Sequence, residues 1–169
     1  MESERKMIKT KFTENEIYKL IAGIPDPEIP VISIEDLGIL REVKIENDKV
    51  KIFITPTYSG CPAMKTIEND IIEILHKNEI EAFEIKTVFA PVWTTDWISD
   101  EAKEKLRKYG ISPPEKSTSN KNLLLNKRLR CPQCNSENTT LISQFGSTAC
   151  KALYKCDDCL EPFDHFKCH

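Results

Sequence analysis

Two Cys-x-x-Cys pairs near the end of the chain constrain its fold more than any other feature. The four cysteines are Cys131, Cys134, Cys156 and Cys159. Residues 135–155 separate the pairs, slightly more than the about 15–20 residues usual in four-cysteine zinc sites. Each pair delivers two thiolates from one tight turn, and two turns complete a tetrahedron around one Zn²⁺. We therefore predict a zinc ribbon over residues 128–169, with strands at residues 139–145 and 152–154. A segment this short buries too little apolar surface to fold unaided, so the metal should stabilise it.

The remaining composition indicates the environment of the seven cysteines. All but Cys61 lie between Cys131 and Cys168. Residues 1–6 lack the apolar core of a secretory signal, and no apolar run reaches the about 18 residues that span a bilayer. We expect a cytoplasmic protein, in which cysteines serve metal or thiol chemistry rather than disulfides. The two pairs are at metal spacing without a thioredoxin-like βαβ pattern, which disfavours a redox pair. The net charge of −3 argues against a general nucleic-acid or membrane binder.

Further potential ligands surround the second cysteine pair. They are Cys150, His165, Cys168 and His169. These residues can form a second metal site, a reactive pair or part of the packing, and the sequence leaves the three alternatives open. Asp164, next to His165, is placed to orient its imidazole.

The sequence before the predicted ribbon indicates a small α+β domain whose elements follow the order α-β-β-α-β-α. A capping box at residues 13–16 begins the first helix. Apolar alternation and helical periodicity predict the rest: strands at residues 39–45, 49–54 and 82–90, and helices after Cys61 and Ser99. We expect the helices to pack on a three- or four-stranded sheet. This domain is assigned to residues 1–111, and the polar, proline-rich segment 112–127 to a linker.

Cys61 is the single cysteine of the first domain and lies between a strand and a helix. Pro62 suits the first helical position, so Cys61 is expected at the N-cap. Free backbone N–H groups and the helix dipole would favour its thiolate, lower its pKa and make it a good metal ligand. The simpler alternative is a small buried residue at a turn.

A turn with three prolines, residues 24–32, carries two carboxylates. Its prolines exclude regular helix or central strand and stiffen the backbone. Such a segment can hold Asp26 and Glu28 in fixed directions, although a solvated turn is the alternative. We predict that both carboxylates lie within one side chain's reach of Cys61.

These motifs resemble two related groups of proteins. Asp26-Pro-Glu-Ile-Pro-Val31, Leu37-Gly38 and Thr57-x-x-Gly-Cys-Pro62 resemble the small α+β domain of iron–sulfur assembly factors, which SufT shares with some Mrp/ApbC-type carriers. Trp93-Thr-Thr-Asp-Trp-Ile98, Phe145-Gly-Ser-Thr-Ala-Cys-Lys-Ala-Leu-Tyr154 and Glu161-Pro-Phe-Asp-His-Phe-Lys-Cys168 resemble the PaaD family, accessory subunits of the multicomponent phenylacetyl-CoA oxygenase, a ring 1,2-epoxidase. The likeness covers about residues 14–111 and 128–169.

The resemblance implies a non-catalytic maturation factor in aerobic phenylacetate degradation. It implies that the protein helps to deliver iron or an iron–sulfur cluster to the reductase or oxygenase subunits, with those subunits and iron–sulfur assembly proteins as partners. Cys61 would be the transient metal or cluster ligand, Asp26 and Glu28 would line the same face, and the four paired cysteines would hold structural zinc. A cluster normally takes four thiolates. Cys61 would therefore need help from a second copy, from the ribbon's extra cysteines or from a small thiol.

Two other functions compete with this interpretation. A zinc-ribbon adaptor would bind a protein or nucleic acid, but the pI of about 5.7 and the short basic cluster at residues 127–130 argue against a DNA footprint. A thiol enzyme using Cys61 would need a general base. The domain's one histidine, His76, lies about four turns along the helix that follows Cys61.

Overall fold

The first part of the chain folds into three helices and a three-stranded sheet in the predicted order. The computed structural model describes residues 11–114 and 129–167. The elements are α1 (Glu14–Ala22), β1 (Leu40–Glu46), β2 (Lys49–Ile54), α2 (Ala63–Lys77), β3 (Phe83–Thr87), a 3₁₀ turn (Thr95–Trp97) and α3 (Asp100–Tyr109). The capping box of Thr13 and Glu16 begins α1 as expected. Among the described residues, no helix has both the length and the apolar character needed to cross a membrane.

The topology of this sheet positions the loop that carries Cys61. β1 and β2 form an antiparallel hairpin, and β3 pairs with β2 in parallel. A parallel neighbour requires a crossover, and α2 supplies it. The loop at residues 55–62 therefore lies at the carboxyl end of β2, directly before α2. The core beneath it is formed by aliphatic side chains that include Ile17, Ile21, Val50, Ile52, Ile54, Ile67, Ile71 and Leu75.

The proline turn is fixed by its own side chain. Asp26 Oδ1 accepts hydrogen bonds from the backbone N–H groups of Glu28 (2.9 Å) and Ile29 (2.8 Å). The Asp26 N–H donates to the carbonyl of Ile32 (2.9 Å), and both isoleucines are buried. These contacts hold the turn against the core and fix the direction in which Glu28 projects.

The ribbon sheet has more strands than the sequence predicts. It contains β4 (Ile111–Ser112), β5 (Thr139–Ser143), β6 (Lys151–Cys156) and β7 (Pro162–Phe166), in the spatial order β4-β7-β6-β5. Only β5 and β6 are expected from the sequence. β7 is missed because it begins with a proline and its buried residues, Phe163 and Phe166, do not alternate. Ser112, expected to open the linker, instead belongs to β4, which pairs with β7 in parallel.

The two sheets share one apolar core. Phe166 of β7 is fully buried, and its ring meets that of Trp93 edge-on at 6.2 Å. The Trp93 Nε1–H donates to the carbonyl of Leu37 (2.8 Å). Cys150, in the loop between β5 and β6, packs in the same cluster as the core of the first domain. The ribbon's β5–β6 loop therefore contacts the proline turn.

Candidate metal centre and thiol site

The four paired cysteines are arranged to hold one metal ion. Their Sγ atoms all lie within 4.8 Å of one another. Cys131 and Cys159 are 3.7 Å apart, and Cys134 and Cys156 are 3.5 Å apart. A tetrahedral Zn²⁺ with Zn–S bonds of about 2.3 Å requires S···S distances of about 3.8 Å. The donor set therefore fits Zn²⁺, which would close this end of the ribbon as a structural centre.

Contacts around the centre join its two turns. The Ser136 hydroxyl donates to Asp158 Oδ2, and Asn138 Nδ2 donates to Asp158 Oδ1 (2.9 Å). The backbone N–H groups of Cys159 and Asp158 hydrogen-bond to Cys156 and lower its pKa to about 7. Backbone donors thus stabilise a thiolate at this position.

Cys61 differs from its predicted setting. α2 begins at Ala63 with Pro62 as its N-cap residue and no side-chain cap, so Cys61 precedes the cap. Burial raises the pKa of the Cys61 thiol, and the charges of Glu28 and Asp26 raise it further. A backbone hydrogen bond from Ala63 has the opposite effect and is outweighed. The predicted lowering of its pKa was therefore wrong, because desolvation and two carboxylates oppose the helix end.

Cys150 from the ribbon meets the same carboxylates. Its Sγ donates a hydrogen bond to Glu28 Oε2 (3.4 Å), and Thr148 Oγ1 lies 3.0 Å from that sulfur. Burial and the Glu28 charge raise the pKa of Cys150 to about 11. Asp26, Glu28, Tyr58, Cys61 and Cys150 therefore form one group of interacting side chains, which we call the interdomain thiol site.

Tyr58 connects the members of the interdomain thiol site. Its side chain hydrogen-bonds to Cys61, and burial, with the charges of Cys61, Glu28 and Cys150, raises the pKa of Tyr58 to about 12. Its phenol thus stays protonated at neutral pH and is available as a hydrogen-bond donor.

Both halves of the chain match known domain families. Residues 14–88 match the iron–sulfur cluster assembly protein family, and residues 115–167 match the PaaD zinc beta ribbon domain. A protein of Escherichia coli K12, named as a putative component of 1,2-phenylacetyl-CoA epoxidase, is 50% identical over 154 residues. That match covers 91% of this chain and 92% of the relative.

The chain belongs to the PaaD family. Its first domain also has relatives that lack the ribbon. An iron–sulfur protein maturation auxiliary factor of Porphyromonas gingivalis is 32% identical over 96 residues, or 56% of this chain and 90% of that protein. The crystal structure of a domain of unknown function, DUF59, from Bacillus anthracis superposes with a TM-score of 0.51 at 31% identity, covering 55% of this chain and 90% of that one. The PaaD-family chain thus combines a widely used domain with a ribbon.

Of the four remaining predicted ligands of this PaaD-family chain, the structure describes Cys150 and His165 and gives them different partners. Cys150 faces Glu28, whereas His165 Nδ1 lies 3.1 Å from the carbonyl oxygen of Ser112 and its ring packs edge-on against Tyr154. Cys168 and His169 lie outside the described residues. Within residues 11–114 and 129–167, the four paired cysteines are the only group of three or more such ligands whose donor atoms lie within 4.8 Å of one another.

Asp164 also differs from its predicted role beside His165. Its Oδ2 accepts a hydrogen bond from Ser147 (3.0 Å) and lies 3.7 Å from Lys151 Nζ. Because successive side chains of a strand point to opposite faces, Asp164 and His165 project from different faces of β7. Asp164 therefore supports the β5–β6 loop.

The sequence missed the relation between Cys150 and Glu28, which are 122 positions apart. A local pattern cannot report such a contact. Tyr58 was missed as well, although it lies in the same loop as Cys61, three residues before it. Its position in that loop was the available signal.

Proposed function

We propose that this protein is a non-catalytic maturation factor of phenylacetyl-CoA epoxidase that holds iron or an iron–sulfur cluster at Cys61 and passes it to the reductase or oxygenase subunits. The observation that supports this most is the placement of Cys61, half-buried and beside Asp26 and Glu28, apart from the four-cysteine centre. The names of the relatives, an epoxidase component and an iron–sulfur maturation factor, point to the same role.

The two thiol-bearing regions suit different tasks. A structural zinc site is closed by four protein ligands and retains its ion. At Cys61, no three potential ligands among the described residues lie within 4.8 Å of one another. A site with fewer than four protein ligands leaves coordination positions for an acceptor, which a protein that hands over its cargo requires. The cargo is thus the substrate of the interdomain thiol site, and zinc would only support the fold.

The carboxylates have distinct parts in this proposal. Asp26 is almost fully buried, with 5% of its surface exposed, and it uses one oxygen to fix the turn. Glu28 is only half-buried and directs its carboxylate toward the thiols. We assign Asp26 to positioning and Glu28 to direct contact with the cargo.

The test measures iron and sulfide in the epoxidase's iron–sulfur flavin reductase, purified from cells that lack the wild-type protein but express a variant. Cys61→Ser should leave the reductase poor in iron and sulfide, whereas the nearby exposed Ser59→Ala should restore both. A reductase with its full iron content in the Cys61→Ser cells would contradict the proposed role.

A further inference from the structure

We propose that Cys150 is the second thiol ligand of the interdomain thiol site, so that bound iron or cluster joins the two domains through Cys61 and Cys150. This inference rests on the proposed function, because it assumes that Cys61 binds the cargo. It assigns the ribbon a direct part in binding, beyond holding its own zinc.

The contacts of Cys150 place it at the same location as Cys61. Its sulfur lies 3.4 Å from Glu28 Oε2, and Glu28 is one of the two carboxylates whose charge acts on Cys61. Tyr58 hydrogen-bonds to Cys61 and also interacts electrostatically with Cys150. Glu28 therefore links the two cysteines, because it contacts Cys150 directly and its charge acts on Cys61. Only 4% of the surface of Cys150 is exposed, and its thiol donates to Glu28.

The β5–β6 loop, residues 144–150, is built to hold Cys150 in place. The Gly146 N–H donates to the carbonyl of Lys151 (2.7 Å), and the Ser147 hydroxyl donates to Asp164 Oδ2 (3.0 Å). A Cβ on Gly146 would clash with Asp164 Oδ1, so a larger residue here would displace Asp164 from Ser147 and Lys151. A ligand whose supporting contacts are already made loses little freedom on binding.

The ligand set indicates which cargo the site would take. Thiolates favour iron–sulfur clusters and soft metal ions over Mg²⁺ or Ca²⁺. Cys61, Cys150 and Glu28 are not all within 4.8 Å of one another, whereas the sulfurs around a single tetrahedral ion lie about 3.8 Å apart. At least one pair of these donors is therefore too far apart to share one tetrahedral ion, and we infer a polynuclear iron–sulfide unit as the cargo. Two thiols supply half of the four that a cluster normally takes, which leaves positions for an acceptor. Each thiol loses one proton when it binds the metal.

The experiment uses the full-length, zinc-loaded protein under anaerobic conditions. It is incubated with an equimolar mixture of ferrous and ferric iron and with sulfide and is desalted, and then iron, sulfide and zinc are measured per chain. The rate at which iron passes to an added chelator is followed afterwards. The variants are Cys61→Ser, Cys150→Ser and Cys150→Ala, with Ala149→Ser as a matched control because it places a hydroxyl at the exposed neighbouring position.

Both Cys150 variants should keep their zinc. They should lose iron at least about tenfold faster than wild type, because even residues that only support the ligands of a metal site change its affinity by about 10–100-fold. Ala149→Ser should behave as wild type. If Cys61→Ser loses iron and the zinc-loaded Cys150 variants retain it, Cys150 is not a ligand and the proposed function stands. If all variants retain iron, or wild type binds none, both the inference and the proposed function are overturned.

Discussion

The four-cysteine centre and the interdomain thiol site both contain cysteines, but the cysteines are arranged differently in the two sites. At the centre, four sulfurs are already close enough to share one ion. At the interdomain thiol site, two cysteines accompany two carboxylates and a phenol, and among the described residues no three potential ligands there lie within 4.8 Å of one another. The first arrangement supplies four ligands for one ion, whereas the cargo that we propose for the second would need further ligands. In that proposal, ligand number and spacing, and not the presence of cysteine, separate the structural metal site from the transfer site.

The electrostatics of the two regions also differ. At the centre the pKa values of the thiols are split: backbone N–H groups lower the pKa of Cys156, whereas burial and hydrogen bonds with the other cysteines raise the pKa of Cys134 and Cys159. Burial raises the pKa of Cys61 and Cys150, and the charge of Glu28 adds to the effect at both. A thiol that regains its proton when its metal leaves is suited to release, because protonation competes with metal binding.

The largest expected effect comes from removing one ligand of the four-cysteine centre. Cys156→Ser should release the zinc, because Cys156 is buried and its sulfur lies 3.5 Å from that of Cys134. Structural zinc contributes about 10–16 kcal/mol in small zinc-dependent domains, so the ribbon should unfold. Zinc content and limited proteolysis would measure this, with residues 129–167 cleaved first and the first domain persisting. Full zinc retention by the variant would contradict the assignment.

The second effect tests whether the two domains are one packed unit. Phe166→Ala removes a fully buried ring that contacts Trp93 across the domains, and such losses cost about 3–5 kcal/mol. The matched control is Phe145→Ala in the β5–β6 loop, whose ring is 65% exposed. Denaturant unfolding should show a large loss of stability for the first variant and less than about 1 kcal/mol for the second. Similar losses for both variants would mean that Phe166 does not join the domains.

Local patterns in the sequence predicted the fold of each part well. Alternation at Val50, Ile52 and Ile54 placed β2, and the capping box placed α1, because both patterns reflect contacts within a few residues. The paired cysteines were predicted as one metal site for the same reason, since each pair lies in a single turn. The spacing of the four paired cysteines along the sequence was enough to predict that they bind one tetrahedral ion.

Contacts between distant segments could not be read from the sequence. The pairing of β4 with β7 depends on how the ribbon docks, and Cys150 was grouped with His165 because the two are near in sequence. The N-cap prediction for Cys61 failed by one residue, and its pKa was then decided by burial together with Asp26 and Glu28 from another turn. Where a site is assembled from both domains, tertiary packing decides the chemistry.

The third effect tests the loop that carries Cys150. Gly146→Ala forces a Cβ against Asp164 Oδ1, so the loop or Asp164 must move, at a cost of about 1–3 kcal/mol. The control is Gly23→Ala, where a Cβ would meet no atom within 4 Å. Both variants should keep one zinc per chain. Only Gly146→Ala should make the Cys150 thiol accessible to alkylation, measured by mass spectrometry of the labelled peptide. Unchanged labelling of Cys150 would show that the loop does not depend on this glycine.

The smallest effect on stability is expected at Cys61, although we propose that it matters most for function. Cys61→Ser replaces a half-buried sulfur with an oxygen that can keep the hydrogen bonds made with Ala63 and Tyr58. The helix loses no cap, because Pro62 and not Cys61 occupies the N-cap position. The free energy of unfolding should therefore change by about 1 kcal/mol or less, with zinc content unchanged. Urea unfolding and metal analysis of the purified variant would measure both quantities. If the free energy of unfolding falls by more than about 3 kcal/mol, Cys61 is a packing residue. A loss of function in cells would then reflect unfolding and not a missing ligand.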